Sequence, residues 1–185
     1  MGILWPRRGD RLFREGGIGS LAACTMAHMR SEGFVAMGFK NAADSLVHHV
    51  SRSGRDDSLI LPILFLYRHY IEMQLKEIAL QLHRWYGKGE SYAKTHKLSR
   101  LVAILDHPDL KAAQTSPEDE EARPAVRQCV LEFHRLDPRG TEMRYPDKAP
   151  LEQLDLGHLM STMEGLANYL GAVADQMEDA VNLRD

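Results

Sequence analysis

Residues 59–87, LILPILFLYRHYIEMQLKEIALQLHRWYG, carry the strongest periodic pattern of the chain and decide its fold class. Apolar side chains recur there every seven residues, at Leu64, Ile71, Ile78 and Trp85. This spacing places them on one face of an α-helix. Asp57 or Ser58 is expected to cap the N-terminus of this helix, and Gly87 is expected to end it. An amphipathic helix of about seven turns predicts the centre of a helical bundle.

The helical spacing continues on both sides of this segment. Further helices are predicted at residues 31–54, at 98–105 with Pro108 as the stop, at 116–136 with a kink or restart at Pro124, and from an Asp155 cap almost to the C-terminus. The sequence contains no alternating run of β-branched residues that would indicate a strand. We therefore expect an all-α fold, a four- to five-helix antiparallel bundle of the up-and-down kind.

The chain length and its N-terminal composition indicate one domain preceded by an arm. The 185 residues suffice for one well-buried core. Residues 1–20 combine five glycines with four arginines and show no sustained period, which predicts a flexible basic arm. Residues 21–185 are expected to form a single helical domain.

Charge, hydropathy and cysteine content exclude several classes of protein. Twenty-three Lys and Arg against 26 Asp and Glu leave a net charge of −3, so no whole-molecule attraction to a polyanion exists. The longest apolar run is interrupted by Pro62 and falls far short of the roughly 20 residues that span a bilayer. Without a secretion signal, and with only Cys24 and Cys129, the chain is expected to be cytoplasmic and not to bind a membrane.

The nine histidines do not predict a metal site, because their spacing fits none of the common ligand motifs. No His-Glu-x-x-His and no Glu-x-x-His occurs, and the neighbours His48 and His49 point about 100° apart on a helix. No phosphate-binding glycine loop occurs either. The sequence therefore predicts neither a metal nor a cofactor.

Arg127 and His134 form the first candidate site. Seven residues apart, they share one flank of a predicted helix but are separated by a rise of about 10 Å. A compact site would need a bend in the helix or a second subunit related by a two-fold axis. Arg127 would hold a phosphate, and His134 would exchange a proton with a 2′-hydroxyl, which together could cleave RNA without a metal. The alternative interpretation is an ordinary solvated helix flank.

Arg68 and the basic stretch that follows the long helix are further candidates. Arg68 lies at the edge of the apolar stripe and needs a partner if it is buried. The simplest arrangement that provides a partner is an ion-pair ladder with Glu72 and Lys76, which would link the helix to its neighbour. Aromatic residues and His96 interleave with the basic side chains between Arg84 and Arg100, a composition typical of a modest nucleic-acid contact surface or of a solvated face.

Several stretches together resemble a group of bacterial HEPN-like proteins (higher eukaryotes and prokaryotes nucleotide-binding). They are residues 61–72 (LPILFLYRHYIE), Leu75-Lys76, His96-Lys97-Leu98, residues 133–138 (FHRLDP) and residues 144–148 (RYPDK). The resemblance implies a four-helix bundle. Two positions differ from the residues that are commoner in this superfamily: Met143, which precedes Arg144, and Gln128, which follows Arg127.

The resemblance implies one of two functions. Catalytic members are metal-independent endoribonucleases of toxin–antitoxin or phage-defence systems, with an Arg/His motif shared across a homodimer; Arg127 and His134 match its spacing. Non-catalytic members bind a nucleotide, a nucleic acid or a protein partner such as an antitoxin or another defence-system protein. In that case Arg68, His96, Arg144 and Tyr145 would be the recognition groups.

Overall fold

A computed structural model describes residues 32–54, 56–87, 94–113, 117–145 and 153–184. Every regular element within these ranges is helical, which confirms the predicted all-α class. The expected arm over residues 1–20 lies outside the described residues, as does the expected helix start at Ser116. The described residues belong to one compact unit, Ser31–Asp185.

Six α-helices and three short 3₁₀ turns make up this unit. The α-helices are α1 (Glu32–Ser53), α2 (Ile60–Trp85), α3 (Leu98–Leu101), α4 (Pro108–Ala113), α5 (Pro117–Leu136) and α6 (Leu156–Asn182). The 3₁₀ turns are Asp57–Leu59, Val102–Asp106 and Glu142–Arg144.

Helix α2 is the centre of the core, as its periodicity predicts. It packs against α1 on one side and α6 on another, and also contacts α3 and the turn Glu142–Arg144. Ile71, Leu75 and Ile78 are completely buried. Burying a side chain of this size contributes about 1.5–3 kcal/mol, so the apolar stripe of α2 accounts for a large share of the hydrophobic stabilisation.

The starts of α2 and α4 differ from the sequence predictions. Asp56, not Asp57 or Ser58, is the cap before α2; its Oδ1 accepts a hydrogen bond from the Ser58 amide at 3.1 Å and opens a 3₁₀ turn before the α-helix begins. Pro108 begins α4 as well as following the preceding turn, because proline fits the first position of a helix, where no intrahelical N–H is needed.

The predicted helix 98–105 is α-helical only from Leu98 to Leu101 and continues as the 3₁₀ turn Val102–Asp106. The end of α5 and the start of α6 agree with the sequence predictions, but the helix restart predicted at Pro124 does not occur. Helix α5 runs through Pro124 without a restart and ends at Leu136, directly before Asp137-Pro138. The carboxylate of Asp155 accepts a hydrogen bond from the His158 amide at 2.9 Å, which confirms it as the cap of α6.

A buried lysine links three helices of the core. Lys40 on α1 is 3% exposed and donates to Asp44 at 2.8 Å and to Glu164 of α6 at 2.5 Å. The Tyr67 hydroxyl of α2 donates to the same Asp44 carboxylate. Burial alone would lower the pKa of Lys40, but the two carboxylates raise it above its ordinary value, so the ammonium stays charged in the core.

The helices of the described ranges also bear on two sequence predictions, the absence of membrane binding and the homodimer. No helix within the described ranges has both the length and the hydropathy to cross a bilayer. Leu64, Ile71 and Ile78 of the α2 stripe are buried within one chain. The homodimer stays a prediction.

Candidate functional site

Arg68 is the centre of a buried polar cluster that joins α2 to two distant segments. Its side chain is 3% exposed. Nη1 donates to Glu72 at 2.9 Å, Nη2 to the backbone carbonyl of His96 at 2.7 Å, and Nε to the carbonyl of Asp137 at 3.3 Å. Every nitrogen of the guanidinium therefore has a protein acceptor, as a buried arginine requires.

Glu72 is the second member of the cluster and binds three positive or donor groups. Its Oε2 accepts from Arg68, while Oε1 lies 2.8 Å from Lys76 Nζ and 2.7 Å from His96 Nδ1. Burial alone would raise the pKa of this carboxyl, but the hydrogen bonds from Lys76, Arg68 and His96 outweigh burial and lower the pKa to about 2. The expected Arg68–Glu72–Lys76 ladder is thus confirmed, with His96 as an additional partner.

Asp137 holds the segment after α5 against Arg68. Its side chain is fully buried, and Oδ1 accepts hydrogen bonds from the amides of Gly140, Thr141 and Glu142 at 2.6, 2.9 and 3.1 Å. The other carboxylate oxygen, Oδ2, lies 3.4 Å from Arg68 Nε. This one carboxylate therefore orders the turn after α5 and neutralises a buried cation.

Gly140 allows the turn to lie directly on the guanidinium. Its φ is +80°, in the left-handed region, and a Cβ added there would lie 2.9 Å from both Nη atoms of Arg68. Glycine is required here for two independent reasons, backbone conformation and close approach.

His134 lies on the α5 side of the same cluster and is half-buried. Burial lowers the pKa of its imidazole, and the positive charges of Arg68 and Lys97 lower it further against an opposite effect of Asp137. Its Nδ1 is buried and has no hydrogen-bond partner among the described residues. The imidazole is therefore neutral at pH 7 and able to accept a proton, with two cations close by.

Arg127 points to a different neighbour. Its guanidinium forms an ion pair with Asp106, in the 3₁₀ turn before α4, and both side chains are partly exposed. Lys111 lies 3.7 Å from the same Asp106 carboxylate. Within one chain Arg127 therefore engages Asp106, whereas His134 belongs to the Arg68 cluster.

Arg144 and Tyr145 follow the Asp137 turn, and Arg144 lies over the start of α2. The Arg144 guanidinium lies 5.5 Å from the centre of the Phe65 ring, one turn of α2 before Arg68. His69 stacks on the other aromatic groups of this region, 6.0 Å from Phe65 and edge-on to Phe39 at 4.4 Å. Tyr145 is 54% exposed. An aromatic surface with one guanidinium is thus adjacent to the cluster.

The structure brings three of the six predicted site residues, Arg68, His96 and His134, to one cluster, with Arg144 next to it. Sequence reasoning missed Asp137 and Gly140 as site residues. The available signal was the sequence Asp137-Pro138-Arg139-Gly140, in which an aspartate precedes a glycine by three residues, a spacing typical of a side-chain-capped turn.

The pKa of Glu72 makes a specific prediction for acid unfolding. Because the folded-state pKa lies at about 2, below the ordinary value of 4.5, ionised Glu72 stabilises the fold in full above pH 4.5. That contribution, about 3 kcal/mol, is lost as the pH falls towards 2. Urea unfolding of wild type and Glu72→Gln between pH 7 and pH 2.5 should therefore show a steeper loss of stability for the wild type.

Histidines such as His134 also take up protons over part of this pH range. Comparing the two proteins removes their contribution to the change in the free energy of unfolding. Glu132→Gln, which removes an exposed carboxylate on α5, is the matched control. Parallel pH curves for the wild type and Glu72→Gln would contradict the prediction.

Among the described residues, no group of three or more His, Cys, Asp or Glu side chains is arranged to hold a metal ion. The side chains of the cluster combine two imidazoles, three cations and two carboxylates.

Comparison with known proteins adds no relative to this description: no protein-family model matches the chain, and neither a curated protein nor a solved structure is detectably similar to it.

Proposed function

We propose that this chain is a HEPN-like bundle of antiparallel, up-and-down topology that cleaves RNA without a metal. His134 is the general base that takes the proton of a 2′-hydroxyl, and Arg127 holds a phosphate. The observation that carries the proposal is the environment of His134, a half-buried imidazole with a lowered pKa beside Arg68 and Lys97. A neutral imidazole near cations suits proton abstraction next to a phosphodiester.

The proposal includes a homodimer. Because Arg127 and His134 are one heptad apart on α5, one copy cannot place both on the same phosphate, and a second copy related by a two-fold axis would bring Arg127 of one subunit to His134 of the other. Arg127 would then exchange its partly exposed ion pair with Asp106 for the substrate phosphate. In a cytoplasmic toxin–antitoxin or phage-defence system, an antitoxin would control this activity.

The test is cleavage of tRNA or mRNA by the purified protein in the presence of EDTA. We expect wild type to cleave and His134→Ala to lose about 10²–10⁴-fold in rate, the usual contribution of a general base. His49→Ala, which removes an exposed histidine on α1, is the matched control and should cleave like wild type. Absence of cleavage, or equal cleavage by His134→Ala, would reject the ribonuclease.

A second candidate is a non-catalytic module that binds a nucleotide, nucleic acid or protein partner. The observation in its favour is that both Arg68 and Arg127 already bind carboxylates, which leaves Arg144 beside Phe65 as the recognition group. Binding of RNA or a nucleotide without turnover, weakened by Arg144→Ala and unchanged by His134→Ala, would favour this candidate.

A further inference from the structure

The side chain of His96 is exposed to solvent, yet hydrogen bonds hold both its ring and its backbone carbonyl. Its side chain is 68% exposed, yet Nδ1 lies 2.7 Å from a carboxylate that is itself only 5% exposed. Its backbone carbonyl accepts a hydrogen bond from Arg68 at 2.7 Å. One buried ion pair, Arg68–Glu72, therefore fixes both the main chain and the ring of a residue that projects into solvent.

Fold stability alone does not account for this arrangement. An exposed side chain contributes little through a surface ion pair, and Glu72 already has two buried or half-buried cations, Arg68 and Lys76. What the contact does provide is a fixed ring orientation. With Nδ1–H donated to Glu72, the other ring nitrogen, Nε2, is the one that exchanges protons with a bound molecule. The same carboxylate–imidazole arrangement orients general acids and bases in many enzymes.

We propose that His96 is the second proton-transfer group of the ribonuclease, the general acid, and that Glu72 is its positioning residue. The inference rests on the proposed function, in which His134 is the base. RNA cleavage by transesterification needs both groups. His134 takes the 2′-hydroxyl proton, the 2′-oxygen bonds to phosphorus, the bond from phosphorus to the 5′-oxygen breaks, and His96 Nε2–H protonates that oxygen. The products are a 2′,3′-cyclic phosphate and a 5′-hydroxyl, so protons and charge balance.

The surroundings of His96 suit a phosphodiester. Arg68 acts on both imidazoles, through a hydrogen bond to the His96 carbonyl and through its charge on His134. The charged and titratable groups in and around this cluster are Arg68, His69, Glu72 and Lys76 of α2, Lys97 beside His96, and His134 and Asp137 at the end of α5. Lys97 is exposed and so accessible to a bound phosphate.

Two substrates with different leaving groups test the assignment. RNA expels a 5′-alkoxide, which needs a proton, whereas a uridine 3′-(4-nitrophenyl phosphate) expels a phenolate that leaves unprotonated. His96→Ala should lose about 10²–10⁴-fold on RNA but less than about threefold on the nitrophenyl ester. His134→Ala should lose activity on both substrates. Glu72→Gln should show the selectivity of His96→Ala to a smaller extent.

His107→Ala is the matched control, because His107 also lies near a carboxylate, 3.9 Å from Asp109, but outside the cluster. Far-UV circular dichroism of each variant, with His96→Gln as a second substitution, separates loss of catalysis from loss of folding. Equal losses of His96→Ala on both substrates, or none on RNA, would overturn the acid role while the proposed ribonuclease stood. A wild type that cleaves neither substrate would reject both proposals.

Discussion

Replacing Asp137 by alanine is expected to lower the free energy of unfolding by about 3–5 kcal/mol, measured by urea denaturation at pH 7. The substitution removes the acceptor of three backbone amides, those of Gly140, Thr141 and Glu142. It also removes the carboxylate beside the buried Arg68, whose Nε lies 3.4 Å from Oδ2. Losing a partner of a buried charge is among the costliest single substitutions.

Asp155→Ala is the matched control for this experiment. Asp155 also accepts a hydrogen bond from a backbone amide, but it is exposed and caps α6 through the single amide of His158. No ion pair between Asp155 and a buried cation occurs among the described residues. Loss of such a cap costs about 1 kcal/mol. If both variants unfolded at the same urea concentration, the cluster around Arg68 would not stabilise the fold in the way its geometry indicates.

The elements that depend on local pattern could be predicted from the sequence. The heptad spacing of Ile71 and Ile78 predicted α2, and the i, i+4 spacing of Arg68, Glu72 and Lys76 predicted the ladder that the structure contains. Both follow from the geometry of one helix, which the order of residues determines directly.

The rest of the site depends on contacts between segments far apart in the chain. Arg68 reaches the carbonyl of His96, 28 residues away, and Asp137, 69 residues away. No periodicity within one helix encodes which loop a buried arginine will meet. The same limit applies to His134, whose pKa is set by burial and by Arg68 and Lys97 on other segments.

The stretches that carry the resemblance to HEPN-like proteins converge on Arg68. Arg68 and Glu72 come from the first, Lys76 from the second, His96 from the third, and His134 and Asp137 from the fourth. Arg144, from the last, lies over Phe65 one turn away. These segments therefore build one structural unit, in which the buried ion pair holds the ring and backbone of His96 and the charge of Arg68 acts on His134.

Replacing Gly140 by alanine should destabilise the fold by about 3 kcal/mol, more than an alanine in a left-handed conformation costs by itself. A Cβ at this φ of +80° costs about 1–2 kcal/mol in backbone strain. It would also lie 2.9 Å from the Arg68 guanidinium. A flexible arginine would simply move away, but this one is held by Glu72 and two backbone carbonyls. Its displacement therefore breaks buried hydrogen bonds.

Gly54→Ala isolates the contribution of the clash, because Gly54 has almost the same φ, +84°, and a Cβ there meets nothing within 4 Å. We expect this control to lose only the strain energy, about 1 kcal/mol, in the same urea titration. The difference between the two variants then measures the cost of displacing Arg68. It should nearly vanish when both are made in an Arg68→Met background, since the shorter, uncharged side chain removes the guanidinium from beneath the turn. A difference that persisted in that background would show that the guanidinium is not what requires glycine at position 140.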